Sequence, residues 1–161
     1  MAVHDGIEAF AANLSAHTAL MGHDPGTKTI GVAVSDRLRS VSTPLTTIKK
    51  KKFSTDAEAL LKLIVEREIG GIVIGLPRNM DGTEGARAQA SRAFARNLSK
   101  LTDLPITFWD ERLSTVAAER ALLEADTSRA KRSQVIDHVA AGYILQGALD
   151  RLAHLSAGGE A

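Results

Sequence analysis

Along residues 19–152, short apolar runs typical of strands alternate with apolar stripes at helical spacing. Two apolar runs flank the turn sequence Pro25-Gly26, which predicts a hairpin of two strands, and a β-branched run follows at residues 41–48. Pro44 predicts that this third run is an edge strand or is interrupted, because proline cannot donate a ladder hydrogen bond. The continuous apolar run Ile72–Leu76 is typical of a strand covered on both faces. This part of the chain therefore predicts a three-stranded meander followed by a buried strand.

Helical stripes alternate with strand-like runs in the rest of the chain. Gly70-Gly71 is expected to end the first of these helices. The whole order, β-β-β-α-β-α-β-α-α, implies an α/β fold with a mixed five-stranded sheet flanked by helices. The predicted helices cover residues 53–67, 84–100, about 114–125 and about 133–152, and the predicted strand covers residues 104–109.

Length and composition indicate one domain. A chain of 161 residues, 44% hydrophobic and 24% charged, can bury a core that folds by itself. We expect the domain to cover residues 18–153, with a peripheral extension at 1–17 and a disordered tail at 154–161. The absence of cysteine excludes disulfides, thiolate zinc sites and cysteine catalysis. The acidic start and the lack of a long apolar run argue against a signal peptide and a membrane span, so we expect a cytoplasmic protein with no membrane partner.

Acidic residues occupy three places that the predicted fold would bring to one edge of the sheet. Asp24 ends the first predicted strand, Asp110-Glu111 follow the last strand, and Asp137 lies early in the final helix on its packing face. Simpler interpretations exist, since Asp24 could cap its turn and the helix dipole favours Asp137. Arg112 could neutralise a solvated Asp110-Glu111 pair. Acids that do converge would repel each other, and a divalent cation would relieve the repulsion.

Four motifs cover much of the chain: His23–Asp36 (HDPGTKTIGVAVSD), Gly75–Gly85 (GLPRNMDGTEG), Asp110–Thr115 (DERLST) and Ile136–Ala141 (IDHVAA). In this order and spacing they resemble the YqgF family of small bacterial RNase H-like proteins. Members of that family are described both as pre-16S rRNA nucleases and as Holliday junction resolvases. The resemblance covers about Leu20–Leu152 and implies an RNase H-like fold, with antiparallel strands followed by parallel ones.

The resemblance also implies a set of site residues. Asp24, Glu111 and Asp137 would bind one or two Mg²⁺ or Mn²⁺ ions, and Asp110 would belong to the catalytic group. Glu111 is favoured over Asp110 as the direct ligand, since RNase H-like sites commonly use a glutamate second. His23 stands where the family usually has an apolar residue, and we expect it not to ligate, because oxygen ligands suit magnesium better than imidazole.

Substrate binding requires local cations, since the net charge is only +1. Lys28 and Lys131 are predicted phosphate contacts because each lies a few residues from an implied ligand. Arg78 and Arg112 are predicted to bind the substrate as well. The basic run Lys49–Lys52 could assist, although a charge run is also typical of a solvated face. With few aromatic residues for base stacking, recognition is expected to depend on the shape and charge of the phosphate backbone.

These features predict a metal-dependent nuclease that hydrolyses phosphodiester bonds. The resemblance favours processing of the 5′ end of pre-16S rRNA in ribosome biogenesis. One alternative is a Holliday junction resolvase, which needs a symmetric dimer to cut two strands. Another is a nucleic-acid-binding ribosome-assembly module without activity. The expected partner is an rRNA precursor or branched DNA, and the sequence leaves a monomer and a homodimer both open.

Overall fold

A mixed sheet carries the fold in the computed structural model, which describes residues 3–113 and 129–159, and the side chains of residues 3–113 and 138–156. The second, third and fourth strands form the predicted antiparallel meander, and the remaining pairings are parallel, so the predicted fold class is confirmed. Pro44 lies in an edge strand, beside a shift in register. The strands are β1 (Val3–His4), β2 (Ala19–Pro25), β3 (Thr29–Ser35), β4 (Ser42–Lys49), β5 (Ile69–Leu76) and β6 (Ile106–Asp110), in the order β1-β6-β5-β2-β3-β4.

Helices cover both faces of the sheet and enclose two apolar clusters. One cluster joins the sheet to α2 (Phe53–Glu66) and α3 (Ala86–Ser99) and includes Met21, Ile72 and Leu98. The other joins the sheet to α1 (Ile7–Ala12) and α4 (Arg129–Gly159) and includes Leu20 and Leu145. The helix predicted at about 114–125 lies outside the described residues. The described helices are α1 (Ile7–Ala12), α2 (Phe53–Glu66), α3 (Ala86–Ser99), a 3-10 turn at Glu111–Leu113 and α4 (Arg129–Gly159).

The first residues belong to the fold, which corrects the expectation of a peripheral extension and a five-stranded sheet. β1 pairs with β6 as a sixth strand, and the Phe10 side chain of α1 is fully buried. Gly71 provides the space, because a Cβ there would lie 2.5 Å from Leu14 Cδ2 and 3.0 Å from Phe10 Cζ. Gly70-Gly71 therefore do not end α2, which stops at Glu66. They are the second and third residues of β5, and Gly71 leaves room for the N-terminal segment.

Helix α4 crosses the sheet at very short range. A Cβ on Gly22 of β2 would lie 2.8 Å from Leu145 Cβ and 3.1 Å from the carbonyl oxygen of Ala141, so only glycine permits this approach. At the other end of the contact, His138 Nδ1 lies 2.9 Å from Thr47 Oγ1 of β4. The N-terminal part of α4 thus reaches the end of the sheet where β2 ends.

The final helix also extends further than expected. We expected it to end at about residue 152 and a disordered tail to begin at residue 154, but α4 continues to Gly159. No helix in the described ranges is both long enough and apolar enough to cross a membrane.

Candidate functional site

Asp24 lies at the carboxyl end of β2 and points to the face covered by α4. Its side chain is nearly buried, with 3% of the residue exposed. Gly22, two residues earlier, contacts α4, and alternate residues of a strand share one face of the sheet. The sheet therefore holds this carboxylate beneath the N-terminal half of α4. Capping the turn at Pro25-Gly26 would not require such burial.

Glu111 reaches the same place from β6. β2 and β5 pair in parallel up to His23 and Ile74, so the next residues, Asp24 and Gly75, lie side by side. A Cβ on Gly75 would lie 2.5 Å from Ile144 Cδ1 of α4 and 3.6 Å from Glu111 Cδ. Ile144 and the Glu111 carboxyl group thus both pack over Gly75 on the α4 face, and Asp24 lies beside Gly75 in the neighbouring strand.

Asp110, the residue before Glu111, forms an ion pair with Arg112. Arg112 donates to it from Nη2 at 2.7 Å and from Nε at 3.1 Å, and the Arg112 backbone N–H adds a third donor at 3.0 Å. These hydrogen bonds hold the pKa of Asp110 below its ordinary value. Of the two adjacent acids, Asp110 is the one neutralised by Arg112, and Glu111 is the one beside Gly75.

Asp137 and Lys131 belong to α4, but their side chains lie outside the described residues. Asp137 is one helical turn before Ala141, the residue whose carbonyl oxygen approaches Gly22. Among the side chains that the structure describes, no three acidic or histidine residues lie together in a way that could hold a metal ion. The described part of the candidate site is the pair Asp24 and Glu111.

His23 points away from this pair, into the core between β2 and α3. It is fully buried, its Nε2 lies 2.9 Å from Met21 Sδ, and its ring makes an edge contact with Phe94 at 5.8 Å between centroids. Burial lowers its pKa from 6.5 to about 3, so the ring is neutral. His23 is therefore a core residue on the opposite face of the sheet from Asp24.

The loop after β5, residues 77–85, is a tight turn with several internal hydrogen bonds, which could not be predicted from its motif. Asp81 accepts from the Thr83 backbone N–H at 3.0 Å and from its hydroxyl at 2.6 Å, which lowers the pKa of Asp81. Gly82 has φ of +89°, a conformation that favours glycine. Arg112 Nη1 donates to the Met80 carbonyl at 3.3 Å and so ties the loop to the Asp110-Glu111 segment.

The predicted cations divide into two groups. Lys28 is exposed on the turn after Asp24, and Lys50 joins it there, with its backbone N–H bonded to the Lys28 carbonyl at 2.9 Å and its Nζ to the Gly26 carbonyl at 3.0 Å. Arg78 instead lies 3.4 Å from Glu84 and 4.0 Å from Asp110, in the same acidic neighbourhood as Arg112. The structure thus brings Lys50 of the run Lys49–Lys52 to the turn that follows Asp24, a proximity that the sequence did not reveal.

Close relatives cover almost the whole chain. A protein of Ruegeria sp. (strain TM1040) named "Putative pre-16S rRNA nuclease" is 69% identical over 153 residues, which is 95% of this chain and 98% of the relative. A protein of Paracoccus denitrificans with the same name is 68% identical over 151 residues, covering 94% of this chain and 96% of its own length.

Solved structures of resolvases share the fold at low sequence identity. RuvC of T. thermophilus in complex with a Holliday junction substrate superposes with a TM-score of 0.53 at 13% identity, covering 85% of this chain and 97% of RuvC. The yeast mitochondrial Holliday junction resolvase Ydc2 gives a TM-score of 0.52 at 11% identity, covering 93% and 85%. Residues 18–151 match the family model described as "RuvX: Holliday junction resolvase". The chain therefore belongs to the RuvX family, the YqgF family that its four motifs resemble.

Proposed function

We propose that this chain is a metal-dependent nuclease that hydrolyses phosphodiester bonds during 5′-end processing of pre-16S rRNA. The observation that supports the proposal most is that Asp24 lies in the strand next to Gly75, while the Glu111 carboxyl carbon lies 3.6 Å from where a Cβ on Gly75 would stand. The names of relatives that are about 69% identical over nearly the full length support the choice of rRNA as substrate.

The residues present fit a hard divalent cation. Asp24 and Glu111 offer carboxylate oxygens, which Mg²⁺ and Mn²⁺ prefer, and the imidazole of His23 lies on the other face of the sheet. Asp137, placed on α4 one turn before Ala141, is the proposed third ligand.

Magnesium or manganese at such a site would supply an activated water and charge stabilisation at the leaving oxygen of a phosphodiester. The protein contributes the fixed positions of the acids. β2 pairs with β3 at Asp24 and with β5 at His23, and the Glu111 carboxyl carbon lies 3.6 Å from where a Cβ on Gly75 would stand, so both acids are positioned by the end of the paired sheet. We assign Asp110 a positioning role: it holds Arg112, which in turn holds the loop at residues 77–85.

Substrate phosphates are proposed to contact Lys28 and the run Lys49–Lys52. All of these lysines are exposed, and Lys28 and Lys50 lie at the turn that follows Asp24. Lys131 is proposed as a further contact from α4. For Arg78 and Arg112, substrate contact remains a prediction, and their pairs with Glu84 and Asp110 support a structural contribution as well.

Junction resolution is the second candidate, favoured by the description of the RuvX family model. The shared fold with RuvC and Ydc2 is compatible with either substrate. A resolvase must present two active sites to two strands, so this candidate also requires a dimer in solution.

One experiment separates these functions. The protein is incubated with a pre-16S rRNA 5′ leader and with a four-way DNA junction, in Mn²⁺ and in EDTA, and the products are mapped. We expect cleavage of the RNA that needs Mn²⁺ and is lost in Asp24→Asn. Preferential cutting of the junction would favour the resolvase, and binding without cleavage of either substrate would favour an assembly module.

The matched control is Asp36→Asn. Asp36 is an exposed acid at the opposite end of the β2–β3 hairpin, where it accepts hydrogen bonds from the Ser40 and Val41 backbone N–H groups. Its variant is expected to cleave like the parent protein. If Asp24→Asn also cut the RNA at the parent rate, the proposed catalytic role of Asp24 would be wrong.

A further inference from the structure

We propose that Met80 is an apolar wedge that enters between neighbouring bases of the nucleic acid and so selects which phosphodiester bond reaches Asp24 and Glu111. The inference deepens the proposed function and rests on it. It concerns a residue that contacts bases, whereas the lysines described above contact phosphates.

Met80 has the most exposed of the large apolar side chains in the described ranges, at 89%. A single exposed apolar residue is ordinary on a protein surface and would not by itself indicate a contact. The loop around it makes the difference. A mobile loop could fold such a side chain onto the surface, but this loop holds Met80 outward.

The loop is fixed by hydrogen bonds on both sides of Met80. Asn79 N–H donates to the Thr83 carbonyl at 2.9 Å, Gly82 N–H donates to the Asn79 carbonyl at 2.9 Å, and Asn79 Nδ2 donates to Thr83 Oγ1 at 2.9 Å. The Asp81 carboxylate accepts from Thr83 as described above. The tip therefore presents Met80 on a preformed turn, which reduces the entropy lost when it inserts into a ligand.

The loop that carries Met80 is connected to the segments that carry Asp24 and Glu111. The loop begins directly after Leu76, the last residue of β5. The residue before Leu76 is Gly75, which lies next to Asp24 and Glu111. The Met80 carbonyl accepts from Arg112 Nη1, and Arg112 follows Glu111 in the chain. Leu113, the next residue, is also 68% exposed and adds apolar surface to this flank.

The chemistry of this flank suits bases better than phosphates. Asp81 lies beside Met80 and would repel phosphates, while Arg78 and Arg112 are paired with Glu84 and Asp110. Phosphates are better accommodated on the other flank, by Lys28 and Lys49–Lys52. Methionine is one of the apolar side chains that nucleic-acid-binding proteins insert between base steps, where they partly unstack the bases. A substrate crossing the site would thus be held by its backbone on one side and by its bases on the other.

The test uses 2-aminopurine, whose fluorescence rises when it is unstacked, placed in turn at each position of an RNA hairpin carrying the pre-16S 5′ leader sequence. The protein carries Asp24→Asn, so the measurement does not depend on cleavage. We expect a fluorescence rise at one base step, its loss in Met80→Ala, and its retention in Met80→Leu. Val65→Ala, which removes an apolar side chain that is 77% exposed on α2, is the matched control.

In the parent protein, where Asp24 is intact, Met80→Ala should also cleave more positions and lose about tenfold in kcat/KM, because the selected bond would be held at the acids less often. An unchanged fluorescence profile in Met80→Ala would overturn the wedge, even if the RNA were still cleaved. Failure of the proposed function is a separate result: no metal-dependent cleavage by the parent protein of any of these hairpins.

Discussion

Replacing Gly22 by alanine tests whether the close approach of α4 to β2 positions the site. The added Cβ would lie 2.8 Å from Leu145 Cβ and 3.1 Å from the backbone carbonyl of Ala141. The backbone of α4 cannot rotate away like a flexible side chain, so the helix must shift. Because α4 also carries Asp137 and packs Ile144 beside Glu111, the shift would move one side of the candidate site relative to Asp24.

The magnitude follows from these distances. Nonbonded carbon atoms prefer about 3.5–4.0 Å, so α4 must retreat by roughly 1 Å at this crossing. Overpacking of this kind costs about 1–3 kcal/mol, and alanine recovers roughly 0.5–1 kcal/mol of it through lower chain entropy. For a chain of this length, a net loss of about 1–2 kcal/mol lowers Tm by about 2–8 °C. A misplacement near 1 Å at a catalytic site can reduce the rate by up to about 100-fold.

The assay measures Tm by differential scanning calorimetry and kcat/KM on the cleaved substrate. Gly85→Ala is the control, because its Cβ would have no neighbour closer than 3.8 Å and its Tm should remain within about 2 °C of the parent value. A Gly22→Ala protein with the parent Tm and the parent kcat/KM would refute the claim that α4 must lie this close for the site to work.

Two further predictions concern His23 and the lysine run. His23 stays neutral in the folded protein down to about pH 3, whereas in the unfolded chain it takes up a proton below about pH 6.5. The free energy of unfolding therefore falls as the pH drops below 6.5, by about 2 kcal/mol at pH 5. Urea unfolding in EDTA at pH 7.5 and pH 5 should show this loss in the parent and a smaller one in His23→Leu; equal losses would contradict the burial argument. Alanine at Lys50–Lys52 should lower the slope of log Kd for single-stranded RNA against log salt by about 2, at ~0.7 per phosphate contact. Lys100→Ala, on α3, should leave the slope unchanged, and an unchanged slope in the triple variant would remove these lysines from the interface.

Local pattern was sufficient to predict the elements that carry the site. The hairpin around Pro25-Gly26 and the buried strand β5 have short-range signals, namely turn residues and continuous apolar runs. The positions of Asp24 and of Asp110-Glu111 at strand ends followed from those elements. The alternation of a strand also indicated that the last two acids diverge.

The remaining features depend on contacts between distant segments. A two-residue strand such as β1 has no periodicity to detect, and the burial of Phe10 depends on the space above Gly71. Which of the two adjacent acids lies over Gly75 depends on the register of β5 with β6 and on the face that α4 covers. The direction of His23 likewise depends on which face of the sheet α3 covers, because its strand is buried on both faces.

The central claim is that Asp24 and Glu111 bind a divalent ion together while Asp110 does not. Isothermal titration calorimetry of Mn²⁺ into the parent protein, Asp24→Asn, Glu111→Gln and Asp110→Asn tests it directly, with circular dichroism to verify folding. We expect the parent and Asp110→Asn to bind Mn²⁺ with similar affinity, and the other two variants to lose binding by at least about tenfold, since each removes a charged ligand. Undiminished binding by folded Asp24→Asn or Glu111→Gln, or loss of binding in folded Asp110→Asn alone, would contradict the account.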